Sequence, residues 1–223
     1  MIQMLTVVVV LVMSSASLDA LPAPVAQSTT PSAAPADTGK VVRLVLAPEG
    51  NEARYLVREQ LANLDFPNDA IGATSAITGQ LVLDADGAVV PAESKFVIDV
   101  TTLKSDKERR DGYLQRRTLE TAQYPTVTLV PTALRGMPTS LPEAGAFSFE
   151  MDADVTIKDV TRSVRWQVSA VAENGGFSGK ASTSFPFEAF QLTQPKVSVV
   201  LSVENEIRLE YDFNLVPEPA GGS

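Results

Sequence analysis

The chain has 223 residues, 44% hydrophobic and 20% charged, enough to bury a sizeable core in one domain once its ends are set aside. A net charge of -9 argues against a nucleic-acid partner or an anionic membrane surface, since phosphate recognition depends on a basic face that releases counterions. With no histidine and no cysteine, the Ser-His-Asp and Cys-His nucleophiles, thiolate or imidazole metal sites, haem ligation and disulfides are all excluded, which leaves carboxylates, Lys, Tyr and Ser as conceivable catalysts.

The start, "MIQMLTVVVVLVMSSASLDA", carries an apolar run from Leu5 to Met13 followed by small residues. A spanning helix needs about 20 apolar residues, so residues 1–20 read as a secretory signal; no Lys or Arg precedes the run, and an uncleaved anchor is the alternative. Export follows as an expectation: secreted, periplasmic or cell-surface. Residues 21–39, "LPAPVAQSTTPSAAPADTG", are Pro-, Ser- and Ala-rich without period, a composition that cannot offset its ordering entropy and predicts a disordered tether. Residues 217–223 predict a flexible tail.

Between residues 40 and 216 the pattern has period two. "ARYLVREQL" alternates, "ATSAITGQLVLDADGAVV" runs through Gly79 to a turn at Asp86-Gly87, and "ESKFVIDVTTL" sets Phe96, Ile98 and Val100 on one face. The "DADG" segment lacks the spaced ligands and closing Glu of a calcium loop, so it reads as a hairpin turn. Downstream, "TVTLVPTAL", "GAFSFEMDADVTIKDV", "RSVRWQVSAVAE", "GFSGKASTSFPF", "KVSVVLSV" and "NEIRLEYDFNLV" are separated by turn signals. These signals stand at Gly136-Met137-Pro138, Lys158-Asp159, Asn174-Gly175-Gly176, Gln194-Pro195 and Glu204-Asn205. Eight to ten short strands require closure or stacking, which predicts an all-β antiparallel barrel or sandwich.

One stretch interrupts the alternation: "TTLKSDKERRDGYLQRRTLETAQYP", residues 101–125. Ser105-Asp106 offers an N-cap, Asp106 and Glu108 place negative charge in the first turn, and Arg116-Arg117 place positive charge near the end. A short connecting helix around 105–117 is expected, with Tyr113 and Leu114 turned to the barrel and Pro125 launching the next strand.

Here the residues carry a resemblance. "SKFVIDVTTLKSDKERRDGYLQRRTLETAQYPTVTL" resembles the signature of the YceI-like family: an Ile-Asp-Val strand end, a Leu-Lys-Ser segment, an Arg-Asp-x-x-Leu helix and a Tyr-Pro-Thr strand start. "ADVTIKDVTRSVRWQV" is similar to the family's Leu-Thr-Ile-Lys-Gly-Val-Thr hairpin. The resemblance implies an eight-stranded antiparallel lipocalin-like barrel over 40–216, holding an isoprenoid or quinone-type lipid in an apolar cavity. The chain departs from the family at Thr118-Leu119-Glu120, where a Phe-Phe pair is frequent, at "FPFEAFQLTQP", and at Tyr113, where histidine is frequent.

On this reading the ligand-binding candidates are Phe96, Ile98, Val100, Trp166, Phe185, Phe187 and Phe190, each of which plain core packing would equally accommodate. Arg110 and Asp111 match the family's Arg-Asp pair and are expected to pin the helix to the barrel rim. No catalytic residue, metal ligand or cofactor is expected; an enzyme using carboxylates such as Asp152 and Asp154 is a weak reading, because an alternating Asp-x-Asp is equally a solvated strand face. A lipid carrier or sequestering protein is the first functional reading, and a structural or adhesion module on the cell exterior is the alternative. The oligomeric state stays open, a homodimer included.

Overall fold

In β9 (Val160–Glu173) Trp166, Val168, Ala170 and Ala172 are buried while every residue between them is exposed, so alternation in the sequence becomes the two faces of a strand. The computed structural model describes residues 40–62, 65–138, 142–198 and 200–219. The expected signal segment, the tether and the last residues of the tail lie outside these.

The strands are β1 (Val42–Leu46), β2 (Glu52–Leu61), β3 (Asn68–Thr74), β4 (Ile77–Leu83), β5 (Lys95–Asp99), β6 (Lys104–Ser105), β7 (Thr126–Arg135), β8 (Gly145–Ile157), β9, β10 (Gly176–Phe185) and β11 (Val200–Pro217). Hydrogen bonding runs β1-β4-β5-β7-β8-β9-β10-β11 and returns from β11 to β1, every pair antiparallel. This is a closed eight-stranded barrel. The three remaining strands extend its members: β2 continues β1 along β11, β3 continues β4 along β2, and β6 continues β5 along β3.

Three consecutive strands are therefore bent at one level of the barrel, and side chains cover the backbone groups freed there. At the first bend Asn51 donates to the Ala47 carbonyl at 2.7 Å and accepts from the Asn214 amide at 2.9 Å. At the second and third, the Thr74 and Thr102 hydroxyls meet at 2.6 Å, Thr74 Oγ1 accepts from the Ala76 amide, and Asp99 accepts from the Thr101 amide and hydroxyl. Side-chain partners of this kind let a strand break without leaving buried amides unpaired.

Beyond the bends, the space between β6 and β7 is filled by α1 (Glu108–Tyr113), which runs on into a wider, five-residue turn over Leu114–Thr118. The expected helix is thus present but shorter in its regular part. Its N-cap is Lys107 rather than Ser105-Asp106, since Ser105 is drawn into β6 and Asp106 pairs with Arg110. After the helix, Glu120 at φ 53° is ion-paired with Lys158 of the β8–β9 turn, whose ammonium lies 5.7 Å from the Tyr124 ring. Another expected turn, Glu204-Asn205, is instead a register irregularity within the continuous β11 between Val203 and Ile207. There Asn205 accepts from the Phe187 amide and donates to Glu188, fastening the short 3₁₀ turn Phe187–Phe190 to the strand.

The unbent end is packed solid. Leu44, Leu83, Phe96, Phe177, Phe213 and Leu215 are buried, and Phe147 meets Phe149 and Phe177 with ring centroids 5.8 and 5.4 Å apart. Close packing of this kind makes one end of the barrel a plug rather than a second opening.

Candidate ligand cavity

The other end is hollow. Inward residues of β2, β5, β7, β9, β10 and β11, together with the helix and the segment after the 3₁₀ turn, enclose about 1280 Å³. This exceeds the roughly 300–1,000 Å³ of ordinary small-molecule pockets. Its walls are aliphatic and aromatic: Val57 and Tyr55 from β2, Ile98 and Val100 at the third bend, Leu114 and Leu119 around the helix, Ile207 and Leu209 from β11. The mouth is ringed by Leu61, the 106–110 and 116–117 segments, and Pro195, Val197 and Ser198.

Of the seven ligand-binding candidates, Ile98, Val100, Trp166, Phe185 and Phe187 line this space. Phe96 and Phe190 do not. Phe96, one pleat from Ile98 on the same face, lies toward the packed end, edge-on to Tyr211 at 6.1 Å. Gly79 accommodates it: a Cβ there would stand 2.7 Å from the Phe96 backbone and 2.3 Å from the Lys95 carbonyl, so only glycine fits. Phe190 turns away from the cavity into the core, 1% exposed, with its ring 4.6 Å from that of Phe185.

Tyr55, Glu59 and Tyr211 belong to the lining and were absent from the sequence candidates. The alternation Ala53-Tyr55-Val57-Glu59 was the available signal for the first two, but a Glu on such a face suggests solvent. Here Glu59 is 8% exposed and accepts from Arg110 Nη2 at 2.6 Å. Arg110 also pairs with Asp106. Asp111, equally buried, accepts from both the amide and the hydroxyl of Ser105, at 2.9 and 2.6 Å. Adjacent residues of one short helix thus tie it to two strands, Arg110 to β2 and Asp111 to β6.

Tyr55 crosses Gly72 of β3, where a Cβ would come within 2.2 Å of its ring. Burial pushes its hydroxyl pKa up to about 12, with the Arg110 charge pulling the other way. Burial also raises Tyr211, whose hydroxyl, like the Trp166 indole N–H, is sealed in the wall without a hydrogen-bond partner among the described residues. Asp152 lies away from the cavity lining, held below the usual carboxylate range by Arg165 and Arg135 at 2.8 and 2.6 Å. It is a paired strand surface, not a poised acid or base.

A family model described as YceI-like domain matches residues 49–215. Among solved structures the chain is similar to a polyisoprenoid binding domain from Saccharophagus degradans implicated in plant cell wall breakdown, at 9% identity and TM-score 0.56, covering 80% of this chain and 100% of that one. It is similar to Burkholderia cenocepacia BcnA at 16% identity and TM-score 0.53, covering 74% and 95% respectively. A YceI protein of Campylobacter jejuni matches at 14% identity and TM-score 0.52, covering 72% and 91%. No curated sequence matches significantly.

Proposed function

The chain belongs to the YceI-like domain family, and from that premise we propose that it is an exported, non-catalytic binding protein whose cavity holds an isoprenoid or other apolar lipid, as carrier or sequestering protein. The observation that carries this reading is the cavity itself: about 1280 Å³, walled by Val, Ile, Leu, Phe and Trp, closed at one end and open at the other. Each CH₂ of a guest that leaves water there contributes about 0.8 kcal/mol, so a few isoprene units bind tightly without a specific polar contact. The polyisoprenoid-binding relative of the same fold supports the ligand class. A structural or adhesion module would have no use for such a void, which a well-packed barrel fills with its own side chains. The apolar run Leu5 to Met13 followed by small residues supports export.

Protein purified without detergent from a membrane-rich lysate is extracted with organic solvent and the extract read by mass spectrometry. The expected result is an isoprenoid, quinone or fatty-acyl lipid at near one per barrel. Repeatedly empty extracts from folded protein, with no rise in melting temperature on adding isoprenoids, would defeat the reading. N-terminal sequencing tests export, with a mature start between Ala16 and Gln27 expected and a retained Met1 in a soluble cytosolic fraction against it.

A further inference from the structure

The hollow end of the barrel turns its largest apolar side chains outward to water. Leu61 of β2 and its cross-strand partner Val200 of β11 line the mouth. Leu201, next to Val200, is 68% exposed, and Phe66, in the turn that Leu61 leads into, is 79% exposed. Val197, on the segment that completes this side of the rim, is exposed too. Of the six large hydrophobics exposed among the described residues, these three include the two most exposed; Val41, Ile71 and Val171 lie on other strands, and none is as open. A cluster of this kind marks a surface that something covers.

The charge of the same rim runs against that of the chain. Lys107, Arg109, Arg116 and Arg117 border the mouth and Lys196 is exposed beside Val197, in a protein of net charge -9. Arg109, Arg116, Arg117 and Lys196 form no ion pair with a carboxylate among the described residues. Asp106 is taken up by Arg110 and Lys107, so Glu108 and Asp65 are the exposed acids that remain at the rim; Glu204 and Glu206 stand farther along β11, past the pairing of Val203 with Glu59. At the packed end, by contrast, Asp86, Glu143, Glu173 and Glu218 are exposed and unpaired among the described residues. The total charge argues against an anionic surface for the molecule as a whole, and its distribution leaves one end suited to such a surface.

We infer that the mouth docks on an anionic phospholipid bilayer. Phe66, Leu201 and Val197 enter the headgroup boundary, and the cations of the helix and of the 195–198 segment face the lipid phosphates. Protruding apolar side chains ringed by Lys and Arg are what an interfacial membrane contact needs, whereas the packed end is repelled and keeps the barrel upright. The inference goes beyond the lipid-binding reading and rests on it only for its consequence: once docked, the lumen opens onto hydrocarbon, and a guest enters or leaves without crossing water.

The whole protein is sedimented with vesicles of phosphatidylglycerol and phosphatidylcholine in about equal parts, and with phosphatidylcholine alone. The mixed vesicles are expected to bind about 10-fold or more tightly in about 50 mM salt and to lose most of that advantage by about 500 mM. Phe66→Ser and Leu201→Ser, at exposed positions, should each weaken binding about 3- to 10-fold, and Arg109→Gln and Arg117→Gln about 3- to 5-fold on mixed vesicles alone. Insertion is read directly with Phe66→Trp: lipid brominated on its acyl chains should quench the new emission beyond any quenching of Trp166 in the parent. Parental binding by the Phe66→Ser, Leu201→Ser double variant traces adsorption to the apolar run Leu5 to Met13 or to another face and overturns the inference. Equal binding to both vesicle types, or an unquenched Trp at position 66, also overturns it. A soluble dimer that Phe66→Ser dissociates, without vesicle binding, assigns the rim to a second copy and overturns it as well. Lipid recovered by organic extraction reads the cavity separately, so a protein that carries lipid and does not dock defeats this inference alone.

Discussion

Arg110 and Glu59 are 51 positions apart in sequence and meet at 2.6 Å, the arginine on the helix and the glutamate buried on β2 inside the barrel wall. The contact closes the side of the hollow end where β6 and β7 part. Breaking a wholly buried pair costs about 3–5 kcal/mol; Arg110 is partly solvated and shares its charge with Asp106, so Arg110→Ala should cost about 1–2 kcal/mol in urea unfolding. Arg110→Met combined with Glu59→Leu should recover most of that loss. Equal loss in the single and double variants would show that packing of the arginine stem, not the charge pair, holds the helix.

Asp111 accepts two hydrogen bonds from Ser105, and its charge adds to the upward shift of the Tyr55 hydroxyl. Asp111→Ala leaves the half-buried Ser105 amide without its acceptor and its hydroxyl with only the longer bond to the Lys107 carbonyl, and should cost on the order of 1–3 kcal/mol. Lipid affinity measured on the folded fraction should not change. A variant with parental stability that has lost its ligand would move Asp111 from fastening to binding.

Ile98 points into the cavity from β5. Ile98→Lys forces an ammonium to be desolvated against the tail, so lipid recovered by extraction should fall to nothing while the circular dichroism of the barrel persists, the long side chain reaching toward the open end. Bound lipid at parental level would place the guest elsewhere.

The two cavity tyrosines give stability an alkaline limit. Their folded pKa values lie above the ordinary 10.0, so the unfolded chain releases these protons first. Their contribution is full below pH 10 and is lost as pH rises through the folded values, near 12 for Tyr55 and higher for Tyr211. The melting temperature should therefore fall from about pH 10 upward. Tyr211→Phe removes a hydroxyl without a partner, so it should be neutral or stabilising at pH 7 and should flatten the alkaline fall. A large loss of stability at pH 7 would mean the hydroxyl has a partner.

What could be read in advance was which way side chains face. Alternation in β8 and β9 and the turns at Lys158-Asp159 and Asn174-Gly175 gave strands and hairpins, and the positive φ of Lys158, Asn174 and Gly175 is what those turns require. Depth along the barrel could not be read. Phe96 and Ile98 share a face and differ only in whether they sit on the plug side or the hollow side of a bend, and that depends on where Thr74, Thr102 and Asn51 meet their partners across the sheet. Glu59 escaped for a related reason: a buried acid is intelligible only once Arg110, far away in sequence, stands beside it. At Glu204-Asn205 the polar pair signalled an irregularity, and pairing with β2 both before and after it carried the strand past, where β10 reaches only to Ile207.

The three bends lie in a single band, with the plug on one side and the cup on the other. Lengthening β2, β3 and β6 together would deepen the cup without disturbing a residue of the plug, and trimming them would make it shallower. The depth of the cup on this side of the barrel is thus set by β2, β3 and β6. An alignment of related sequences is expected to show insertions and deletions concentrated in β2, β3 and β6, with substitution restrained around Leu44, Leu83 and Phe213.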